Sequence, residues 1–472
     1  MVFSSVVFIF YFLPITLVLY FLAEKTQIMW VKNTVVLIAS LVFYSWGGLQ
    51  YLLLLLCLVL INYVSGLLIQ NTNHKRLFLS IGLAVDLLSL IYYKYLNFLL
   101  SNLVNLIHSM GNTEYMLDMK PITLPIGISF FTFQIMSYLI DVYRGEVRAQ
   151  RNPAWLTLYI MMFPQLIAGP IVRYSDICKE IEHRSTSLTM AEQGVKRFIC
   201  GFSKKIFIAN CMGNVADAVF NITGQTSTIL AWAGAICYAF QIFFDFSAYS
   251  DMAIGLGLLF GFRFNENFNH PYISKSIQEF WRRWHISLST WFRDYLYIPL
   301  GGNRKGQKRT YLNLAIVFFC TGIWHGAAWQ FIVWGMFHGC LQLLERAWLG
   351  KWLKRIPAIF SWLYTMFMVV IGWVFFRAND LSSAIKYLKN MFTYHALDIS
   401  SANINILLKF TPLFFLVAAF AVLLSTPVAQ MVEEKISGYN KYIVNIGYLL
   451  LMFITIVYLS GLSYNPFIYF QF

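Results

Sequence analysis

Apolar residues in this chain run in blocks of about 20, the length a helix needs to cross a hydrocarbon layer about 30 Å thick. The blocks lie at 1–22, 34–46, 49–69, 77–107, 122–140, 153–172, 198–220, 228–261, 311–347, 357–377, 404–425 and 440–462. The short alternating segments of a membrane β-barrel are missing from the pattern. It predicts an all-α polytopic membrane protein of about ten to thirteen transmembrane or re-entrant helices, several blocks being long or interrupted. Met1–Leu22 has neither a basic start nor a small-residue cleavage site, so it reads as a retained first span and not a signal peptide. No internal repeat or low-complexity linker divides the chain, and residues 1–472 read as a single domain.

Composition sharpens this. Hydrophobic residues make up 59% of the chain and charged ones 12%, about half the charged share of a soluble domain. A soluble globule has no interior large enough for that much apolar surface. The net charge of +14 could suggest nucleic acid, but the cations sit in short loops between blocks. That is the pattern left by orientation in a bilayer, with attraction to anionic lipid, so the expected partner is the lipid bilayer and no nucleic acid. Lys25, Lys32, Lys75, Arg76, Arg144, Arg148 and Arg151 mark inner loops, whereas 47–50 and 108–120 are nearly free of charge and read as outer. Segment 153–172 has basic flanks on both sides and contains Pro164, Gly169 and Pro170, which predicts a re-entrant hairpin instead of a crossing. The seven cysteines show no paired spacing and read as small buried hydrophobes, with neither disulfides nor a metal site.

Candidate chemistry concentrates in 270–347. Within 278–299 the residues Trp281, Trp284, Leu288, Trp291, Phe292 and Tyr295 form one helical stripe, with His285 on it and Glu279, Arg282 and Arg283 off it. The tail 301–309 is a basic, flexible loop. Next comes Gly322-Ile323-Trp324-His325-Gly326-Ala327-Ala328-Trp329, inside an apolar block. An ionisable group at membrane depth is costly and therefore a functional candidate. Imidazole titrates near about 6.5 and can take a proton from a hydroxyl as its oxygen attacks a thioester. The small residues around His325 are expected to leave room for a substrate. On a continuous helix His338 would point about 140° away, a second-rank or structural residue. Asp245 and Asp251 also lie at membrane depth and are expected to pair with arginines of 282–293 or to hold an imidazole. Ser129 has no base near it in sequence and no nucleophile-elbow motif.

Phe280–Arg304 followed by Thr321–Trp329 resembles the membrane-bound O-acyltransferase family, in particular its bacterial alginate and peptidoglycan O-acetyltransferase branch. The opening Met-Val-Phe-Ser-Ser, Leu124–Asp141, Phe163–Pro170 and the closing Asn465–Phe472 resemble the same branch, so the likeness covers the whole chain. It implies helices around a central tunnel, with His325 as the essential histidine and His285 as a second polar position across the tunnel. From the reading of the residues themselves, Asp245, Asp251, Arg282, Asp294 and His338 are expected to support them. It implies no resident cofactor; the substrate would be a cytoplasmic acyl thioester such as acetyl-CoA. The acyl group would leave on the outer side of the cytoplasmic (inner) membrane, to an extracytoplasmic SGNH-type transferase and a polysaccharide acceptor.

Three readings follow: O-acetylation of an extracellular or cell-wall polysaccharide, teichoic-acid D-alanylation or lipid or protein acylation by the same family, and a transporter whose intramembrane charges line a path. Loop charge makes a prediction independent of all three. In a cysteine-free variant, Gly48→Cys should react with a membrane-impermeant thiol reagent in intact cells and Arg304→Cys should not. The opposite labelling would invert the topology.

Overall fold

The computed structural model describes residues 1–111, 122–167, 169–222, 225–397, 401–428, 431–432, 435, 441–461 and 468. Most of the closing motif 465–472 and of the outer loop 108–120 lies outside them. No strand occurs among the described residues, and they form two compact units. Unit 1 comprises Met1–Gly194 with Leu256–Asn265, and unit 2 comprises Val195–Gly255 with Glu266–Phe472.

Unit 1 runs through α1 (Leu13–Lys25), α2 (Met29–Ser45), α3 (Leu49–Asn71), α4 (Lys75–Leu90), α5 (Leu96–Ser109), α6 (Ile128–Arg144), α7 (Pro153–Met161), α8 (Phe163–Leu166) and α9 (Tyr174–Glu182). A π-helical turn at Ile91–Tyr95 joins α4 to α5 as one rod. Glycines with left-handed backbones, Gly127 and Gly145, bound α6 at its two ends. α6 is buried on nearly every face and packs with α3, α4 and α7. Segment 153–172, read as a re-entrant hairpin instead of a crossing, does not form one helix. α7 stops after nine residues at Met162, and α8 adds one turn. Nine residues rise about 13 Å, too short to cross a bilayer. Lys32, read as a loop charge, is buried instead, with its ammonium on Glu24 at 3.3 Å and on the Arg184 carbonyl at 2.9 Å. Ser129 accepts a hydrogen bond from Lys94 at 2.9 Å, an amine 35 residues away that no local motif would pair with it.

Unit 2 holds α10 (Leu188–Ser203), α11 (Asn210–Phe220), α12 (Thr228–Leu259), α13 (Ile277–Arg283), α14 (Ile286–Phe292), α15 (Gly306–His325), α16 (Trp329–Leu344), α17 (Gly350–Leu353), α18 (Ala358–Arg377), α19 (Leu381–Phe392), α20 (Ser401–Leu407), α21 (Pro412–Leu424) and α22 (Lys441–Ser460). The first residues of α10 and the last of α12 fall in unit 1. Asp380 caps α19 by accepting the Ser383 N–H at 2.7 Å, and that bond holds its carboxyl below the usual carboxylate range. Among the described residues, six helical stretches are long and apolar enough to cross a membrane: Phe8–Lys25, Leu49–Asn71, Lys75–Ser109, Thr228–Leu259, Ala358–Arg377 and Lys441–Ser460. The cysteines are not generally buried as expected: Cys237 is, but Cys57 and Cys340 are exposed, and all seven are free thiols.

The apolar block 311–347 is broken, so the continuous helix on which the direction of His338 was reckoned does not form. Gly326 and Ala328 adopt extended backbone, and α16 folds back on α15. Glycines let the two backbones touch: a Cβ on Gly335 would lie 2.4 Å from the Phe318 carbonyl oxygen and 2.9 Å from Gly322 Cα. Backbone cannot step aside as a flexible side chain can. Gly335→Ala should therefore lower stability in detergent by about 1–3 kcal/mol, read as a fall in Tm, as overpacking does. An unchanged Tm would show that the crossing is looser than this.

Candidate functional site

Every candidate residue from the sequence falls in unit 2. His285 does not lie on a continuous helical stripe. Trp284 ends α13, and His285 takes a left-handed backbone (φ 45°) before α14 begins. Outside glycine that conformation is sparsely populated and costs about 1–3 kcal/mol, so the surroundings must enforce it. Asn267 does much of this. Its backbone carbonyl accepts the Ile286 N–H at 2.9 Å, and its side-chain Oδ1 accepts the Ser287 N–H at 3.2 Å and the Ser287 hydroxyl at 2.9 Å. The stripe residues remain buried as expected, since each helical fragment keeps the same side inward.

Those contacts identify the histidine tautomer. A backbone N–H can only donate, so the atom it meets on Asn267 is the oxygen. Nδ1 of His285 lies 3.2 Å from that oxygen and must donate to it. A neutral His285 therefore carries its lone pair on Nε2, which has no hydrogen-bond partner among the described residues. The Asn267 amide end donates to Ser250 Oγ at 3.2 Å, and a flipped carboxamide would set its NH2 against the Ser287 N–H, donor against donor.

His325 closes α15 at the break, buried against aromatic rings: Trp324 and Trp334 each at 4.9 Å between centroids and Phe376 at 5.1 Å. Trp324 also touches His285, at 5.9 Å, so one indole contacts both imidazoles. The space beside His325 is not where the small residues suggested. A Cβ on Gly326 would lie 2.2 Å from the Phe331 ring, and one on Gly322 2.5 Å from the Phe331 carbonyl oxygen. These glycines admit Phe331 and the α16 backbone. Ala327 and Ala328 are half-buried.

His338 is not turned away as a continuous helix would place it. The α15–α16 hairpin sets its ring 5.3 Å from Trp334, which also contacts His325. Gly372 packs onto its Nε2, where a Cβ would come within 2.6 Å. Trp281 stands edge-on at 5.3 Å. His338 is thus a packed member of the aromatic wall.

Neither membrane-depth aspartate pairs with an arginine of 282–293 or with an imidazole. Asp245 meets Lys205 at 2.5 Å and accepts the Ile468 N–H at 2.9 Å. Asp251 meets Arg197 at 2.7 Å and Lys204 at 2.8 Å, and Arg197 also reaches Glu266 at 2.6 Å. The partners come from α10 and the π-helical turn Lys204–Ala209, on the other side of α12 in sequence. Arg282 is exposed and makes no ion pair among the described residues, and Asp294 pairs with its neighbour Arg293 at 2.6 Å. Sequence reasoning missed Glu345. Its buried carboxylate accepts the N–H groups of Ile277 at 2.7 Å and Gln278 at 3.0 Å, and so caps the helix that leads to His285. The available signal was that Glu345 is the one acid between Tyr295 and Asn379. Asp217–Arg377, at 2.6 Å, is a second pair with no local sequence signature.

A family model described as MBOAT, membrane-bound O-acyltransferase family, matches residues 102–379. Among relatives, a probable alginate O-acetylase of Pseudomonas putida is 43% identical over 495 residues, covering 100% of both chains. A peptidoglycan O-acetyltransferase of Helicobacter pylori is 37% identical, over 83% of this chain and 80% of its own. A teichoic acid D-alanyltransferase of Streptococcus thermophilus is 33% identical, over 48% of this chain and 58% of its own.

The Lys205–Asp245 pair permits a test of the scaffold. Removing one partner of a buried pair leaves a charge without compensation and costs about 3–5 kcal/mol, whereas replacing both by apolar residues is often close to neutral. Lys205→Met should therefore lower Tm far more than the double variant Lys205→Met/Asp245→Leu. Equal losses would mean that the pair is not coupled.

Proposed function

Because this chain belongs to the membrane-bound O-acyltransferase family, and is thereby a multi-pass membrane enzyme of acyl transfer, we propose that it O-acetylates an extracellular or cell-wall polysaccharide. The observation that carries this reading is the full-length match to the Pseudomonas putida protein, supported by the match to the Helicobacter pylori enzyme. Family membership sets aside the transporter. The D-alanylation reading rests on a relative that matches about half of the chain, and it is the weaker for that.

In the proposed chemistry the donor is a cytoplasmic acyl thioester such as acetyl-CoA. A neutral ring nitrogen of His325 takes the proton from an acceptor hydroxyl while that oxygen attacks the thioester carbonyl. The new acyl–oxygen bond forms, the acyl–sulfur bond breaks, and the imidazolium returns its proton to the departing thiolate, so charge and protons balance. His285 assists through Nε2, whose lone pair accepts a hydrogen bond from the hydroxyl or the thiol. The aromatic wall excludes water from both rings and strengthens these polar contacts by lowering the local dielectric. The acceptor receives the group at the outer face of the cytoplasmic membrane, with an SGNH-type transferase as onward carrier. Resemblance alone supports that last step.

His325→Ala should lower polymer acetylation about 10²–10⁴-fold, the usual worth of a general base, while protein abundance and Tm stay near wild type. The readout is ester-linked acetate released from isolated polymer. Wild-type acetate content in a well-expressed variant would remove His325 from the mechanism.

A further inference from the structure

The antiparallel packing of α15 and α16 brings the start of α15, the end of α16 and the start of α18 to one end of unit 2. Lys305, Lys308 and Arg309 stand exposed at the start of α15, and Lys351, Lys354 and Arg355 stand exposed after α16. Arg346 donates to Asn303 Oδ1 at 2.9 Å and joins the two basic stretches into one surface. None of these seven cations forms an ion pair among the described residues. The nearby acid Glu345 is committed to the N-terminus of α13. Like charges gathered without counter-charges repel one another, a cost that an external anion offsets.

The same segment is also apolar on its surface. Trp348 and Trp352, four residues apart, are 59% and 52% exposed, and Leu344 continues their line at 44%. Leu353 turns inward and anchors the segment. Exposed indoles beside lysine and arginine are the composition of a membrane–water interface, where the ring enters the acyl boundary and the cations meet headgroups. α18, a candidate span, begins five residues after Leu353. That places the segment at the level where hydrocarbon gives way to headgroups.

We propose that this face is a docking surface for the anionic headgroups of the membrane that the protein itself spans. The spread of the cations favours lipid over a soluble phosphate: they lie along two stretches interleaved with indoles and do not converge on one point. The proposal does not depend on the acyl-transfer reading. Its functional consequence is that headgroup contacts set the depth of the hairpin that carries His325.

The test uses the full-length protein in nanodiscs of phosphatidylcholine containing phosphatidylglycerol, with retained lipid counted by native mass spectrometry. Wild type should retain phosphatidylglycerol over phosphatidylcholine. Lys351→Gln/Lys354→Gln/Arg355→Gln, and separately Lys305→Gln/Lys308→Gln/Arg309→Gln, should each cut that preference at least about tenfold, with Tm unchanged because these side chains are exposed and form no ion pair among the described residues. Trp348→Ser/Trp352→Ser should weaken retention with every cation in place. Equal retention of both lipids by wild type, or an undiminished preference in both triple variants, would overturn the proposal. Displacement of phosphatidylglycerol by millimolar inorganic phosphate would overturn it as well, by making the surface a soluble-anion site.

Discussion

A charge held away from water must find its complement within the protein, and unit 2 is organised by that requirement. Removing one partner of a buried charge pair costs about 3–5 kcal/mol. Asp245 meets this requirement with Lys205 and a backbone N–H, Asp251 with two cations, and Glu345 with the orphan N–H groups of α13. Each solution ties together segments far apart in sequence. The charged groups are therefore the fasteners of the unit, and the apolar faces fill in around them.

His285 is held in a different way. Asn267 fixes one ring nitrogen and leaves the other as an unmatched acceptor in a buried aromatic setting. In the proposed mechanism that lone pair accepts a hydrogen bond from a reacting hydroxyl or thiol. The backbone strain at the same residue agrees, since left-handed histidine persists only where the surroundings over-determine it. His338 differs in its packing and not in its hydrogen bonding: neither ring nitrogen has a hydrogen-bond partner among the described residues, but a glycine backbone is pressed against Nε2 and aromatic rings surround the ring.

The membrane class, the helical content and the importance of 270–347 could be read from the chain because they rest on one-dimensional signals: block length, charge between blocks, and long motifs. The partners of Asp245 and Asp251 could not, since an ion pair across 40 or more residues leaves no local period. The breaks at His285 and at Gly326–Ala328 were also hidden. Hydrophobicity continues straight through them, and a periodicity argument assumes the helix it is meant to detect. The glycines around His325 misled for a related reason. A missing side chain marks a close approach, but not whether substrate or protein makes it, and here Phe331 does.

The contact between α15 and α16 has a mechanical consequence. Where two helices meet through side chains, rotamer changes let one slide on the other. Gly322 and Gly335 bring backbone against backbone, so no such lubricating layer exists at the crossing. The hairpin must then shift as one stiff lever, carrying His325 and His338 together. Whatever admits a bulky acceptor has to yield in the elements around that lever, because the lever itself has no hinge at its crossing.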